Sequence, residues 1–180
     1  WCPDDALGYG VRRVISSDGD TIDVEPLDDG GGYGMDTFAV GDTHPFDPTH
    51  RRNLPNLADM DNLHVAPLLS LLNRRHKADE IYTFTSDILI SVNPYSQIEG
   101  LYELPEPMSL VQRALMYDDF ANGGVPTDAA EIAAREAPHV FSVANAALAT
   151  MLTTGASQSV LMSGESGAGK TESSKQCMKL

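Results

Sequence analysis

An α/β chain with a small β-rich start is the fold class that these 180 residues predict. Three observations carry it. A short apolar run, Val160-Leu161-Met162, leads into a glycine-rich stretch and then into a segment without Gly or Pro, the order strand, loop, helix. Two upstream segments carry apolar residues at helical spacing. The first 43 residues instead run in short alternating pieces broken by Gly and Asp.

Residues 1–43 read as short strands that suit a small, strongly curved β-barrel. Residues 9–15 form one strand candidate. Ser17-Asp18-Gly19-Asp20 carries an Asp-Gly turn signal. Residues 21–25 alternate, with Ile22 and Val24 on one face. A glycine-rich loop over 28–34 separates them from a strand at 35–40. Residues 41–55 are a connector, where Pro45 and Pro48 hold the backbone extended. His44 and His50 fall in it. No further His or Cys keeps ligand spacing with them, so they read as structural or solvent-facing rather than metal-binding.

A helix is predicted from Pro67, tolerated as a first helical residue, with Leu68, Leu69, Leu71 and Leu72 on one side. Arg74, Arg75, His76 and Lys77 suit its negative end. Residues 81–84 and 88–92 flank Thr85-Ser86-Asp87 and read as a hairpin feeding a buried strand. Asn93-Pro94-Tyr95 ends that strand, because Pro94 cannot extend a ladder. Tyr95 and Tyr102 follow on a loop, where ordinary packing is the plainest role for a tyrosine. Residues 109–120 are a helix candidate and 121–128 a loop. Pro138 opens a further helix with a core stripe of Phe141, Ala144, Leu148, Met151 and Leu152, and Gly155 fits just beyond its end.

The stretch Gly164-x-x-x-x-Gly169-Lys170-Thr171 is the pattern of a phosphate-binding loop. Gly164, Gly167 and Gly169 let the backbone approach a ligand with no Cβ in the way. Successive amides then point inward as an anion nest, and the following helix adds positive charge at its N-terminus. Lys170 can reach the β- and γ-phosphates, and the Thr171 hydroxyl can ligate Mg²⁺. An accidental match over a chain of this length is on the order of 1%, so a ligandless flexible loop is the weaker reading.

Composition bounds the rest. The net charge of −14 argues against nonspecific binding to nucleic acid or to an anionic membrane face. Acid concentrates in the first fifty residues against only Arg12 and Arg13, without calcium-loop spacing. No apolar run approaches the roughly 20 residues of a membrane span. Cys2 and Cys177 stand apart, without disulfide or metal spacing, which suggests free thiols in a reducing compartment. The first residue is Trp and the last helix stops at Leu180, so the chain reads as a piece of something longer.

Residues 164–172, GESGAGKTE, resemble the phosphate loop of myosin motor domains. Residues 82–95 are similar to the strand and purine-binding loop of the same family, and Ala137-Pro138-His139-Val140-Phe141 resembles the helix start between them. Ser157-Gln158-Ser159 and Met178-Lys179-Leu180 also resemble it. The resemblance covers about residues 45–180, and more weakly the start. It implies a P-loop NTPase of the myosin type, with an SH3-like β subdomain over 1–43 and the N-terminal part of the motor domain over 44–180. There are departures. Ser86 stands where the family usually has Gly, and the spacing from Asn93 to Tyr102 is about one residue longer. Asn145 and Leu148 replace a usual Asp and an aromatic, and 118–131 looks like an insertion.

The resemblance implies a parent protein that hydrolyses MgATP and moves on actin filaments in the cytoplasm, with ATP and Mg²⁺ as its ligands. Gly164, Glu165, Ser166, Gly167, Ala168, Gly169, Lys170 and Thr171 would hold the phosphates. Lys170 and Thr171 would serve catalysis, with Thr171 on the metal. Asn93, Pro94 and Tyr95 would border the adenine, and Tyr102 would stack on it. Actin would bind through parts outside this chain, and a light chain or calmodulin is a candidate partner of the parent. The family's two switch segments and its actin-binding cleft are not found here, so this piece alone is expected to show little turnover. Two other readings stay open: another P-loop enzyme such as a small-molecule kinase, and a noncatalytic product of an incomplete gene.

Overall fold

The computed structural model describes residues 1–27, 35–103 and 138–179. The chain divides into two compact units, Trp1–Ala78 and Asp79–Leu180. The helix and loops expected within 109–131, and the glycine-rich loop over 28–34, lie outside the described residues.

In the first unit, β1 (Cys2–Asp4) and β2 (Gly8–Gly10) pair antiparallel. The Asp4 carboxylate closes their turn by accepting from the Ala6 and Leu7 amides, each at 3.0 Å. A separate three-stranded meander follows: β3 (Arg12–Ser17), β4 (Thr21–Pro26) and β5 (Asp36–Ala39). Its first turn is fixed by the Asp18 carboxylate, which accepts from Asp20 N–H at 3.0 Å and Thr21 N–H at 2.7 Å. The strand expected over 9–15 is thus two strands, parted at Val11 between the two sheets. The expected barrel does not close among the described residues. Closure needs the edge strands to find partners, and here β1 and β2 pair with each other instead. Val24 is fully buried and Ile22 half-buried, on the face that the alternation predicts.

Helix α1 (Val65–Lys77) starts two residues before Pro67. Pro67 still falls in the first turn, where an amide has no intrahelical acceptor and its loss costs nothing. Leu71 and Ala66 are buried, as are Trp1, Cys2, Leu57 and Met60 of the same unit. His50 is fully buried, with its ring against those of Trp1 and Phe46. Its Nδ1 accepts from the Trp1 indole at 3.0 Å, which leaves Nε2 to donate to Asp61 O at 2.9 Å. Of the two roles left open for this histidine, the structural one is found. The basic end of α1 does more than complement the helix. Arg74 donates to the carbonyls of His50, Arg51 and Arg52 at 2.9–3.1 Å, and Arg75 to Asn53 Oδ1 at 3.1 Å.

In the second unit, β6 (Tyr82–Thr85) and β7 (Ile88–Ser91) form the predicted hairpin, with Tyr82 opposite Ser91 and Thr85 opposite Ile88. Ser86 adopts φ +54° in its two-residue turn, the conformation that favours glycine. Strand β7 is not buried as expected: Ile88 is 67% exposed, because β6 is its one ladder neighbour among the described residues. Helix α2 (Val140–Thr154) is capped by His139 and ends at Gly155, φ +68°, whose amide donates to Met151 O at 2.9 Å. Its stripe is covered as far as Leu148, with Ala144 and Leu148 half-buried, and open at its last two residues. Val140 is buried and Phe141 half-buried, while Met151 and Leu152 are exposed. Helix α3 (Lys170–Cys177) packs on α2. The core gathers Ile81, Tyr82 and Val140, ringed by Leu89, Leu101, Tyr102 and Cys177.

Candidate functional site

Residues 155–165 run without a ladder into the loop that precedes α3. The expected buried strand over 160–162 is therefore not found, and Leu161 is 92% exposed. A buried parallel strand is made by neighbours on both sides, and the described residues place none beside it. The loop itself turns as its glycines require. Gly167 and Gly169 adopt φ +81° and +90°, and a Cβ on Gly164 would come within 3.2 Å of the Ala168 methyl.

The chain folds back at Ala168, whose amide donates to Glu165 O at a long 3.3 Å. Gly169 is the N-cap of α3, and no side chain caps that end, so the helix presents uncapped amides there. Lys170 turns its Nζ onto the loop's own carbonyls, Gly164 O at 2.8 Å and Glu165 O at 2.7 Å. Thr171 is exposed on the first turn. Among the described residues no group of three or more His, Cys, Asp or Glu is placed to hold a metal. The Thr171 hydroxyl is one oxygen donor, so an Mg²⁺ held there would need its other ligands from water and phosphate oxygens.

The turn after β7 meets this loop. Val92 N–H donates to Ile81 O at 3.0 Å and fixes where the turn begins. Asn93 Oδ1 accepts from Tyr95 N–H at 2.9 Å, and Asn93 Nδ2 donates to Gly167 O at 2.7 Å. A cavity of about 760 Å³ opens here, lined by Asn93, Pro94, Tyr102, Ala168, Gly169 and Gln176 among others. Ligand pockets commonly measure about 300–1,000 Å³. Tyr95 does not line it. That residue is 85% exposed and holds φ +53°. Lys170 lines a second, more apolar cavity of about 590 Å³ with Leu89, Val140 and Val160–Met162.

Tyr102 is fixed before any ligand arrives. Its hydroxyl lies 3.0 Å from that of Tyr82, and its ring packs on His139 and Phe141 at 5.9 and 6.3 Å. Burial and the Tyr102 hydroxyl push the Tyr82 phenol well above its usual range. His139 Nδ1 accepts from Phe141 N–H at 3.0 Å, so Nε2 carries the proton that it donates to Leu101 O at 3.0 Å. Burial lowers the His139 pKa, against a smaller opposite effect of that Leu101 bond.

With this geometry in hand, the likenesses to known proteins fall in one place. A family model described as the myosin head (motor domain) matches residues 54–180. The chain belongs to the myosin head family. Unconventional myosin-VI of Sus scrofa is 31% identical over 177 residues, covering 97% of this chain and 12% of that protein. Myosin-13 of Arabidopsis thaliana is 34% identical over 181 residues, covering 99% of this chain and 11% of that protein. Myosin heavy chain 95F of Drosophila melanogaster is 34% identical over 179 residues, covering 99% and 13%. The chain thus spans about an eighth of the length of these relatives. Every site residue named from the sequence lies inside the myosin head match.

Sequence reasoning missed the wall that α3 gives to the larger cavity of this myosin head segment. The helix's N-cap Gly169 and its Glu172, Ser173 and Gln176 line it, at the i, i+3, i+4, i+7 spacing of one helix face. Gln176 is only 3% exposed. Its Nε2 donates to Glu172 Oε1 at 2.7 Å, while Oε1 has no partner among the described residues. The helical period behind Gly169 was the available signal. Among the described residues no helix is long and apolar enough to cross a membrane.

Proposed function

We propose that this chain supplies the ATP-binding part of an actin-based myosin motor, whose full-length protein hydrolyses MgATP to move along actin filaments. The observation that carries the reading is the junction of two turns. The Asn93 amide sits 2.7 Å from the Gly167 carbonyl, so one ligand can span the phosphate loop and the cavity beside it. On this reading Gly164–Thr171 amides hold the polyphosphate, and the purine lodges against Pro94 and Tyr102. Tyr95, outside the cavity, takes no part in holding the base on this reading. Lys170 exchanges two neutral loop carbonyls for anionic phosphate oxygens, so that both partners of the contact are charged. Mg²⁺, when bound, neutralises charge on the phosphate oxygens, and the Thr171 hydroxyl would hold it.

Phosphoryl transfer needs donors on several sides of the moving γ-phosphoryl. The described residues offer them from one loop, so the 180-residue chain binds nucleotide with little turnover on this reading. Titration calorimetry with MgATP tests it. Saturable one-site binding that tripolyphosphate displaces is expected, with phosphate release far below that of the full-length protein. A chain that gives no heat with MgATP and no binding by equilibrium dialysis refutes the assignment.

A further inference from the structure

We propose that Asn93 is a positioning residue of the phosphate loop, whose side-chain amide holds the Gly167–Ala168 peptide plane so that the Ala168 N–H faces into the loop. The inference rests on the nucleotide-site reading above and gives Asn93 a task other than bordering the base.

The amide's orientation is set at both ends. Tyr95 N–H can only donate and Gly167 O can only accept, so Oδ1 must face the first, at 2.9 Å, and Nδ2 the second, at 2.7 Å. Asn93 in turn follows Val92, whose amide is bonded to Ile81 O at 3.0 Å, so the clamp is mounted on the hairpin. A trans peptide unit is planar, with its C=O and N–H pointing opposite ways. Holding the Gly167 carbonyl outward toward Asn93 therefore holds the Ala168 amide inward. There its one bond among the described residues is the 3.3 Å contact with Glu165 O, a weak partner that an anion's oxygen can displace.

The clamp acts where the backbone most needs one. Gly167 sits at φ +81° with nothing within 4 Å of the place of a Cβ, so packing does not restrain it. A glycine freed from Asn93 has a wide choice of peptide orientations. Each turn of the Ala168 amide away from the ligand would remove one donor from the nest.

The test separates the two tasks with two probes, MgATP and inorganic tripolyphosphate, titrated into the full chain. Asn93→Ala removes the clamp. Asn93→Ser also removes it but keeps a hydroxyl for Tyr95 N–H, and a thermal melt identifies which variant retains the fold. The expected result is that both probes weaken by the same factor, about three- to tenfold, the weight of one ordinary hydrogen bond. Weakening of MgATP with tripolyphosphate unchanged would make Asn93 a base contact and overturn the proposal, as would unchanged affinity for both. If the unsubstituted chain binds neither probe, the nucleotide-site reading itself falls.

Discussion

Replacing His139 by alanine tests how the second unit is held together. Three interactions go at once. The cap on Phe141 N–H is worth about 1 kcal/mol. The Leu101 carbonyl loses its donor, about 1 kcal/mol for a part-buried group. Ring contacts with Phe141 at 4.6 Å and Tyr82 at 5.0 Å are lost too, about 0.5–1 kcal/mol. The expected destabilisation is about 2–3 kcal/mol. His139→Asn keeps a capping oxygen and should recover about 1 kcal/mol of it. Urea unfolding followed by far-UV circular dichroism reads both. If the alanine variant unfolds within about 0.5 kcal/mol of the parent, the ordinary scatter for a surface site, or if asparagine is no better than alanine, the three-way role of this histidine is wrong.

Acid should loosen the fold through the same residue. Burial lowers the pKa of both His139 and His64, so in the window between the folded and unfolded values the unfolded chain binds more protons. Stability is then full above about pH 6.5, the ordinary histidine value, and falls below it; a urea midpoint that does not drop between pH 7 and 5 would contradict this, and His139→Asn should flatten the slope. Lys170→Ala removes the one side-chain cation on the phosphate loop, and MgATP affinity should fall at least about tenfold, a charge-assisted hydrogen bond being worth about 1.5–3 kcal/mol; unchanged affinity by calorimetry would count against the site. Gly169→Ala forces a Cβ into φ +90° at the start of α3 and should cost about 1–2 kcal/mol of stability, read by thermal melt. Leu71→Ala empties a fully buried position in α1 and should cost about 2–5 kcal/mol in the same measurement.

Local chemistry was legible in the sequence where a residue's own constraints decide. Gly155 ends α2 because only a left-handed residue closes that helix cheaply. Ser86-Asp87 turns the hairpin, and the phosphate loop's glycines take the conformations that their spacing implies. What stayed hidden depends on neighbours. Val160-Leu161-Met162 has the composition of a buried strand, yet burial is conferred by partner strands, and the described residues place none beside it. Met151 and Leu152 follow the apolar stripe of α2, yet no surface among the described residues covers them. The site divided in the same way. Gly164–Thr171 was readable as a pattern, whereas the Asn93–Gly167 bond joins residues 74 positions apart. Gln176 shows only once α3 is seen to turn one face to the cavity.

The indole of Trp1, bonded to His50 Nδ1, belongs to the chain's single tryptophan. Its emission, excited on the red edge where tyrosine does not absorb, therefore follows the surroundings of the Trp1–His50 bond in the first unit without a dye. Far-ultraviolet circular dichroism follows the secondary structure of both units. Overlaying the two curves shows whether the chain melts in one step, since coincident transitions mark one cooperative event.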